Sequence, residues 1–326
     1  MILTLQDVQE AAERIRPYAR RTPLLRQENM DKALGCEIFL KAEMLQHTGA
    51  FKLRGALNKI LSLPAEEVKK GIICTSSGNH AQACAYAGRM LGIPVVVVVP
   101  EDCPKIKIEN TRALGAQVIL WDRPFSARWQ KVNQEVAEKG YSIISSDSDP
   151  LVVAGQGTVA LEVLADCPDI DTLLVPASGG GLLCGVATVA KELGKNIRVI
   201  GVQSAASAAY YYSRLAGHPV EVKSQPSIAD ALESDRIAEK NYPIIEKYVD
   251  DFVIVEEETI KEAVKLVARS AKLIAEPSAC VGIGALLSQK IALRPGEKVG
   301  AVLSGGNWSL EMLGKLYNDE LAEAAH

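Results

Sequence analysis

Apolar and polar residues follow two rhythms along this chain, and the two exchange places repeatedly. Apolar positions spaced by three and four predict helices over residues 5–18, 52–61, 81–91, 106–114, 127–139, 154–167, 182–193, 257–273 and 279–287. Short apolar runs between them predict strands at 37–41, 72–74, 95–99, 117–120, 172–175, 198–202 and 299–303. The densest of these, Val95 through Val99, has no polar face, as expected of a strand covered on both sides of a parallel sheet. Such alternation predicts an α/β fold of parallel sheets flanked by helices, with right-handed crossovers. The stretch 203–212 has no clear period and is assigned no element. No internal repeat or low-complexity segment interrupts the pattern.

At 326 residues the chain is long enough for two lobes. The elements within 51–146 read as a small lobe, and 1–50 with 147–326 as a larger one. A net charge of −4 without a basic cluster argues against nucleic acid as a partner. No apolar run reaches membrane-spanning length, and the first residues lack the basic-then-apolar pattern of a secretory signal. Seven cysteines, an odd number without repeated or zinc-finger spacing, are expected as reduced thiols in a cytoplasmic protein.

Candidate chemistry starts at Thr48-Gly49-Ala50-Phe51-Lys52-Leu53-Arg54-Gly55-Ala56, where one lysine sits among small and apolar residues. A surface lysine needs no such setting. A lysine that attacks a carbonyl does, because burial favours its neutral, nucleophilic form. Three predicted strands then run into glycine- or serine-rich turns, the positions where open α/β folds place ligands. These turns are Thr75-Ser76-Ser77-Gly78-Asn79-His80, Ser178-Gly179-Gly180-Gly181 and Ser304-Gly305-Gly306-Asn307. Taken singly, each has a plain reading as a tight turn. No G-x-G-x-x-G frame or nucleotide P-loop fits them.

With the lysine segment, in this order, these turns resemble the pyridoxal-phosphate enzymes of the second fold type, and within them the serine/threonine dehydratase and serine racemase branch. The resemblance runs from Arg21-Thr22-Pro23-Leu24 to the last glycine turn. It implies pyridoxal 5′-phosphate as cofactor, with 1–50 and 147–326 binding it and 51–146 carrying the substrate loop. By the same resemblance Lys52 forms the Schiff base and Phe51 packs beside the ring. Ser178, Gly179, Gly180, Gly181 and Leu182 hold the phosphate, aided by the positive end of the following helix. Asn79 bonds the ring hydroxyl and Ser304 partners the ring nitrogen. Ser76, Ser77, Gly78, Asn79 and His80 grip the substrate carboxylate, although His80 reads equally well as a structural histidine. Ser77 matches the serine that in racemising relatives delivers a proton opposite the lysine.

The resemblance implies a dehydratase and ammonia-lyase that takes L-threonine or L-serine to a 2-oxo acid and ammonia. An amino-acid racemase, or a dehydratase for a specialised hydroxy amino acid such as a hydroxyectoine-derived one, stands as the alternative. A homodimer acting on a small amino acid is expected, with neither nucleic acid nor membrane as partner. With the sequence ending soon after Asn307, no regulatory domain is expected, and by analogy with the family a catabolic role is expected. Some positions depart from the family pattern. Asp147 stands where many relatives carry a neutral or aromatic residue, and Ala231 where a glycine is usual. Gln203 replaces an acidic residue of the family's cation site and Ala209 falls near another ligand position, so no metal is expected. Glu276 does match the family, at a position nearer the cofactor than the cation.

Overall fold

The computed structural model describes residues 3–194 and 196–323. Among these residues, ten strands make up two sheets: β1 (Leu24–Arg26), β2 (Glu37–Ala42), β3 (Ile72–Thr75), β4 (Val95–Pro100), β5 (Gln117–Trp121), β6 (Ser142–Ile143), β7 (Thr172–Pro176), β8 (Arg198–Ser204), β9 (Asp251–Val255) and β10 (Lys298–Leu303). A four-stranded sheet in the order β5-β4-β3-β6 is wholly parallel. The valine run forms β4, interior in that sheet, with Val95 through Val99 buried. Its absence of a polar face therefore matches its position.

The six-stranded sheet runs β1-β2-β10-β7-β8-β9. It is parallel except at β1, which pairs antiparallel to β2 through Leu24↔Lys41. That edge strand is only three residues long, half-buried throughout, and gives no periodic signal in sequence. β9 also lies beyond the predicted set. The unassigned stretch divides between the end of β8 and a helix, Ala209–Ala216.

The helix expected over 257–273 is α-helical only across Glu257–Leu266. It widens to a π turn at Val267–Ala271, and Lys272 follows with φ +58°. The Tyr317 hydroxyl donates to the Lys265 carbonyl there, at 2.9 Å. A π turn adds a residue to a helical turn, and the apolar spacing over 257–273 does not register that widening.

Helix Lys52–Leu61 crosses helix Pro150–Asp166 at close range. A Cβ on Gly155 would lie 2.6 Å from both the Arg54 carbonyl oxygen and the Gly55 Cα, so only glycine allows this approach. Behind the crossing, the Arg54 guanidinium donates to Glu43 (2.8 and 2.9 Å) and Glu162 (2.7 and 2.8 Å), and Lys41 pairs with Glu162. Arg54 is 1% exposed and Glu43 fully buried. Charges this deep are stable only when fully partnered, so the network fixes the position of the helix that carries Lys52.

Candidate active site

The C-terminal ends of β3, β7 and β10 lead into the three turns singled out in the sequence, and the Lys52 segment is tied to one of them. Ala50 forms a β-bridge with Gly305, the Phe51 N–H donates to the Ser304 carbonyl at 3.0 Å, and the Gly306 N–H donates to the Gly49 carbonyl at 2.9 Å. Lys52 follows as the first residue of its helix. Its amine donates to the Ser146 carbonyl at 2.8 Å and lies 5.1 Å from the centre of the Phe51 ring. Burial lowers the Lys52 pKa, while the charge of Asp147 works the other way.

The turn after β3 leads straight into helix Asn79–Leu91, which begins two residues earlier than its apolar period suggests. Ser76 Oγ accepts from the Gly78 N–H at 3.2 Å, and no side chain caps the helix start. Ser76, Ser77, Gly78 and Asn79 are half-buried, which leaves backbone donors available to an anion. His80 goes elsewhere. Its ring is buried and Nε2 meets the Ile144 carbonyl at 2.9 Å, while Nδ1 is buried without a partner among the described residues. Burial and the nearby Lys52 charge lower its pKa to about 4. Of His80, only the backbone N–H fits the substrate-carboxylate role.

The turn after β7 has the geometry of an anion cradle. Gly180 has φ +90°, and a Cβ there would overlap the Tyr210 hydroxyl. Helix Gly181–Glu192 opens directly on this turn, so the N–H groups of Gly181 and Leu182 point out of its positive end. The Gly179 carbonyl accepts from Tyr210 Oη at 3.0 Å and from Asn241 Nδ2 at 2.7 Å, which turns the loop's acceptors away from the cradle. Asn241 Nδ2 also donates to the Asp147 carbonyl at 2.8 Å. Ser178 is half-buried at the loop entrance, and Ser304 is buried at the end of β10 with its hydroxyl unbonded to any described residue.

Asn307 and Thr48 join the site without a role assigned to them from sequence, beside Asn79 and the Glu276 that matched the family near the cofactor. Asn79 Nδ2 donates to Glu276 Oε1 at 2.8 Å, and Asn307 Nδ2 donates to Asn79 Oδ1 and to the Thr48 carbonyl, both at 2.8 Å. Burial raises the Glu276 carboxyl to about 7, with Asn79 pulling the other way. The chain Glu276–Asn79–Asn307–Thr48 thus links three of the four motifs. Its signal in sequence was the match at Glu276 and the final Asn307.

At the cation position the Gln203 amide is used within the chain. Its Nε2 donates to the carbonyls of Ala177 and Ser207 at 3.4 Å, and Oε1 accepts from the Tyr211 N–H at 2.9 Å. All seven cysteines are free and buried. Two of them, Cys74 and Cys84, gather with His80 so that their ligand atoms lie within 4.8 Å of one another, a grouping their spacing did not announce.

These residues fit pyridoxal phosphate: a desolvated lysine, a glycine cradle at a helix start, an unbonded serine hydroxyl and a held asparagine. The model of the pyridoxal-phosphate dependent enzymes matches residues 15–305. The L-threonine ammonia-lyase of Thermotoga maritima is 38% identical over 323 residues, covering 99% of this chain and 80% of its own. The serine racemase of Arabidopsis thaliana is 39% identical over 311 residues, covering 94% of both chains. The structure of maize serine racemase superposes with a TM-score of 0.93 at 34% identity, covering 100% of each chain. With one family model spanning most of its length and whole-chain relatives at this identity, the protein belongs to the pyridoxal-phosphate dependent enzymes of the second fold type.

Proposed function

We propose that this enzyme dehydrates and deaminates a β-hydroxy α-amino acid, with L-threonine or L-serine as default substrates, to give a 2-oxo acid and ammonia. The observation that carries this reading is the setting of Lys52, an amine made easier to deprotonate by burial and held at the Ser146 carbonyl beside three convergent strand ends. Bound pyridoxal phosphate supplies an electron sink for the substrate's Cα. Lys52 would hold the cofactor and, once freed, would remove the Cα proton. Ser76, Ser77, Gly78 and the N–H groups opening helix Asn79–Leu91 bind the substrate carboxylate.

Ser304 offers the cofactor's ring nitrogen a neutral hydroxyl in place of a carboxylate. A neutral partner would leave the ring a weaker sink, a setting that would suit loss of a β-hydroxyl. The β-hydroxyl would leave as water with the proton that Lys52 took from Cα, and the enamine would hydrolyse to oxo acid and ammonia after release.

Relatives of comparable identity bear lyase and racemase names, and Ser77, half-buried in the turn after β3, matches the serine that delivers the opposing proton in racemising relatives. Racemisation is therefore the second reading. Purified holoenzyme assayed on L-threonine and L-serine, following both oxo-acid release and the chirality of remaining substrate, separates the two. Oxo acid without inversion is expected, and inversion without oxo acid would overturn the lyase reading.

The same reading includes two lobes, 1–50 with 147–326 and 51–146, supported by the two separate sheets. It also includes a homodimer in the cytoplasm. The free thiols support that compartment, and no helix among the described residues is long and apolar enough to cross a membrane.

A further inference from the structure

The loop from Ser145 to Asp149 forms one wall of the site, and one of its two carboxylates stands without a partner among the described residues. Ser145 and Ser148 bond each other at 3.0 Å. Asp149 caps helix Pro150–Asp166 through the Leu151 N–H at 2.8 Å and pairs with Lys59 at 2.9 Å. Asp147 alone has a carboxylate with no hydrogen bond or ion pair among the described residues. It is half-buried, one residue beyond the carbonyl that holds the Lys52 amine, and its Oδ2 lies against Gly179 in the anion cradle. Its charge acts on Lys52, on Cys184 and on Tyr210, the groups that surround it. The lysine amine cannot serve as its permanent partner, because catalysis requires that amine uncharged.

A lone carboxylate beside an anion cradle is a poor arrangement until a cation joins it. Two negative groups side by side repel when a phosphate occupies the cradle, and a half-buried charge without a partner is costly. One positive group placed between them relieves both. The Lys52 amine is held by Ser146 and Asp147 is the next residue, so the side chain of a substrate whose Cα faces Lys52 comes within reach of this loop. Building on the lyase reading above, we propose that Asp147 is a specificity-determining residue that selects a β-hydroxy α-amino acid bearing a second, cationic amine on its side chain. The same carboxylate repels a substrate whose side chain ends in an acid, so selection operates in both directions.

The test uses a matched trio that differs only at the γ position: threonine (methyl), 2,4-diamino-3-hydroxybutanoate (aminomethyl) and 3-hydroxyaspartate (carboxylate). Wild-type holoenzyme should show kcat/KM highest for the diamino acid, about tenfold to hundredfold above threonine, with 3-hydroxyaspartate lowest. Asp147→Asn should compress that ratio by at least about tenfold, and Asp147→Lys should favour the acidic member. A preference for threonine in the wild type, or a ratio unmoved by Asp147→Asn, overturns the proposal.

Calorimetric binding of two compounds without a β-leaving group, 2,4-diaminobutanoate and 2-aminobutanoate, reads selection without turnover. Tighter binding of the diamine, lost with Asp147→Asn and weakened by salt, supports the role of Asp147 even if none of the trio is dehydrated, a result that would sink the lyase reading alone. Equal binding overturns it. If potassium or magnesium raises threonine turnover in the wild type to the level of the diamino acid, but not in Asp147→Asn, the carboxylate's partner is an inorganic ion and the proposal falls.

Discussion

Replacing Glu276 with glutamine should change how the stability of the cofactor-free protein depends on pH, in a direction the structure fixes. Glu276 is 6% exposed, and burial raises its carboxyl from 4.5 to about 7. Between those values the folded protein keeps a proton that the unfolded chain has released, so stability falls as pH rises through the window. The full span corresponds to about 3 kcal/mol. His80 acts in the opposite sense. Burial and the Lys52 charge lower it from 6.5 to about 4, so in that interval the unfolded chain holds the extra proton and stability rises with pH, again by about 3 kcal/mol.

The two groups therefore oppose each other where their windows overlap, and the wild type hides both. In Glu276→Gln the falling contribution is gone. The stability of the variant minus that of the wild type should climb by about 3 kcal/mol from pH 4.5 to 7, roughly 5 °C in Tm for a chain of this length. Thermal or urea unfolding of both apoproteins across this range provides the measurement, and taking the difference cancels the other titrating groups. A difference that is flat or that falls with pH would refute the reasoning, because Glu276 would then not be protonated in the folded protein. His80→Gln should give a difference of the opposite slope.

Other outcomes follow from the site geometry. Ser77→Ala should abolish any racemisation while part of the elimination from the L-substrate survives, measured by chiral chromatography; equal racemisation in both proteins would remove Ser77 as the second base. Gly180→Ala should weaken pyridoxal-phosphate binding by at least about tenfold in a spectroscopic titration, since φ is +90° there and the added methyl overlaps the Tyr210 hydroxyl. An unchanged Kd would show that this turn is not the phosphate cradle. Millimolar magnesium or calcium should change turnover and Tm little relative to chelator, because the Gln203 amide is already engaged by Ala177, Ser207 and Tyr211. A saturable rise in both would show a working cation site.

The parallel core was legible because its strands are buried and its helices amphipathic: the run Val95 through Val99 and helix Lys52–Leu61 lie where their patterns put them. Elements without a buried stripe stayed silent, among them β1 and helix Ala65–Lys70, which buries no residue. The early start of helix Asn79–Leu91 was hidden by its first turn of asparagine and histidine, whose side chains serve Glu276 and Ile144. At the site, motifs that are contiguous in sequence were readable. Contacts between distant segments were not: Asn79 with Glu276 spans 197 positions, and Asn307 with Asn79 spans 228. Asp147 was visible as a departure from pattern. Its isolation emerged only when its neighbours' partners were known.

The central claim is that Lys52 carries the cofactor. The most direct measurement is borohydride reduction of the purified holoenzyme, followed by proteolysis and mass spectrometry of the lysine-containing peptides. A phosphopyridoxyl mass on the peptide containing Lys52, absent from Lys52→Ala, is the expected result. A stable label on another lysine, or a Lys52→Ala protein that keeps a reducible cofactor and normal turnover, would contradict the account.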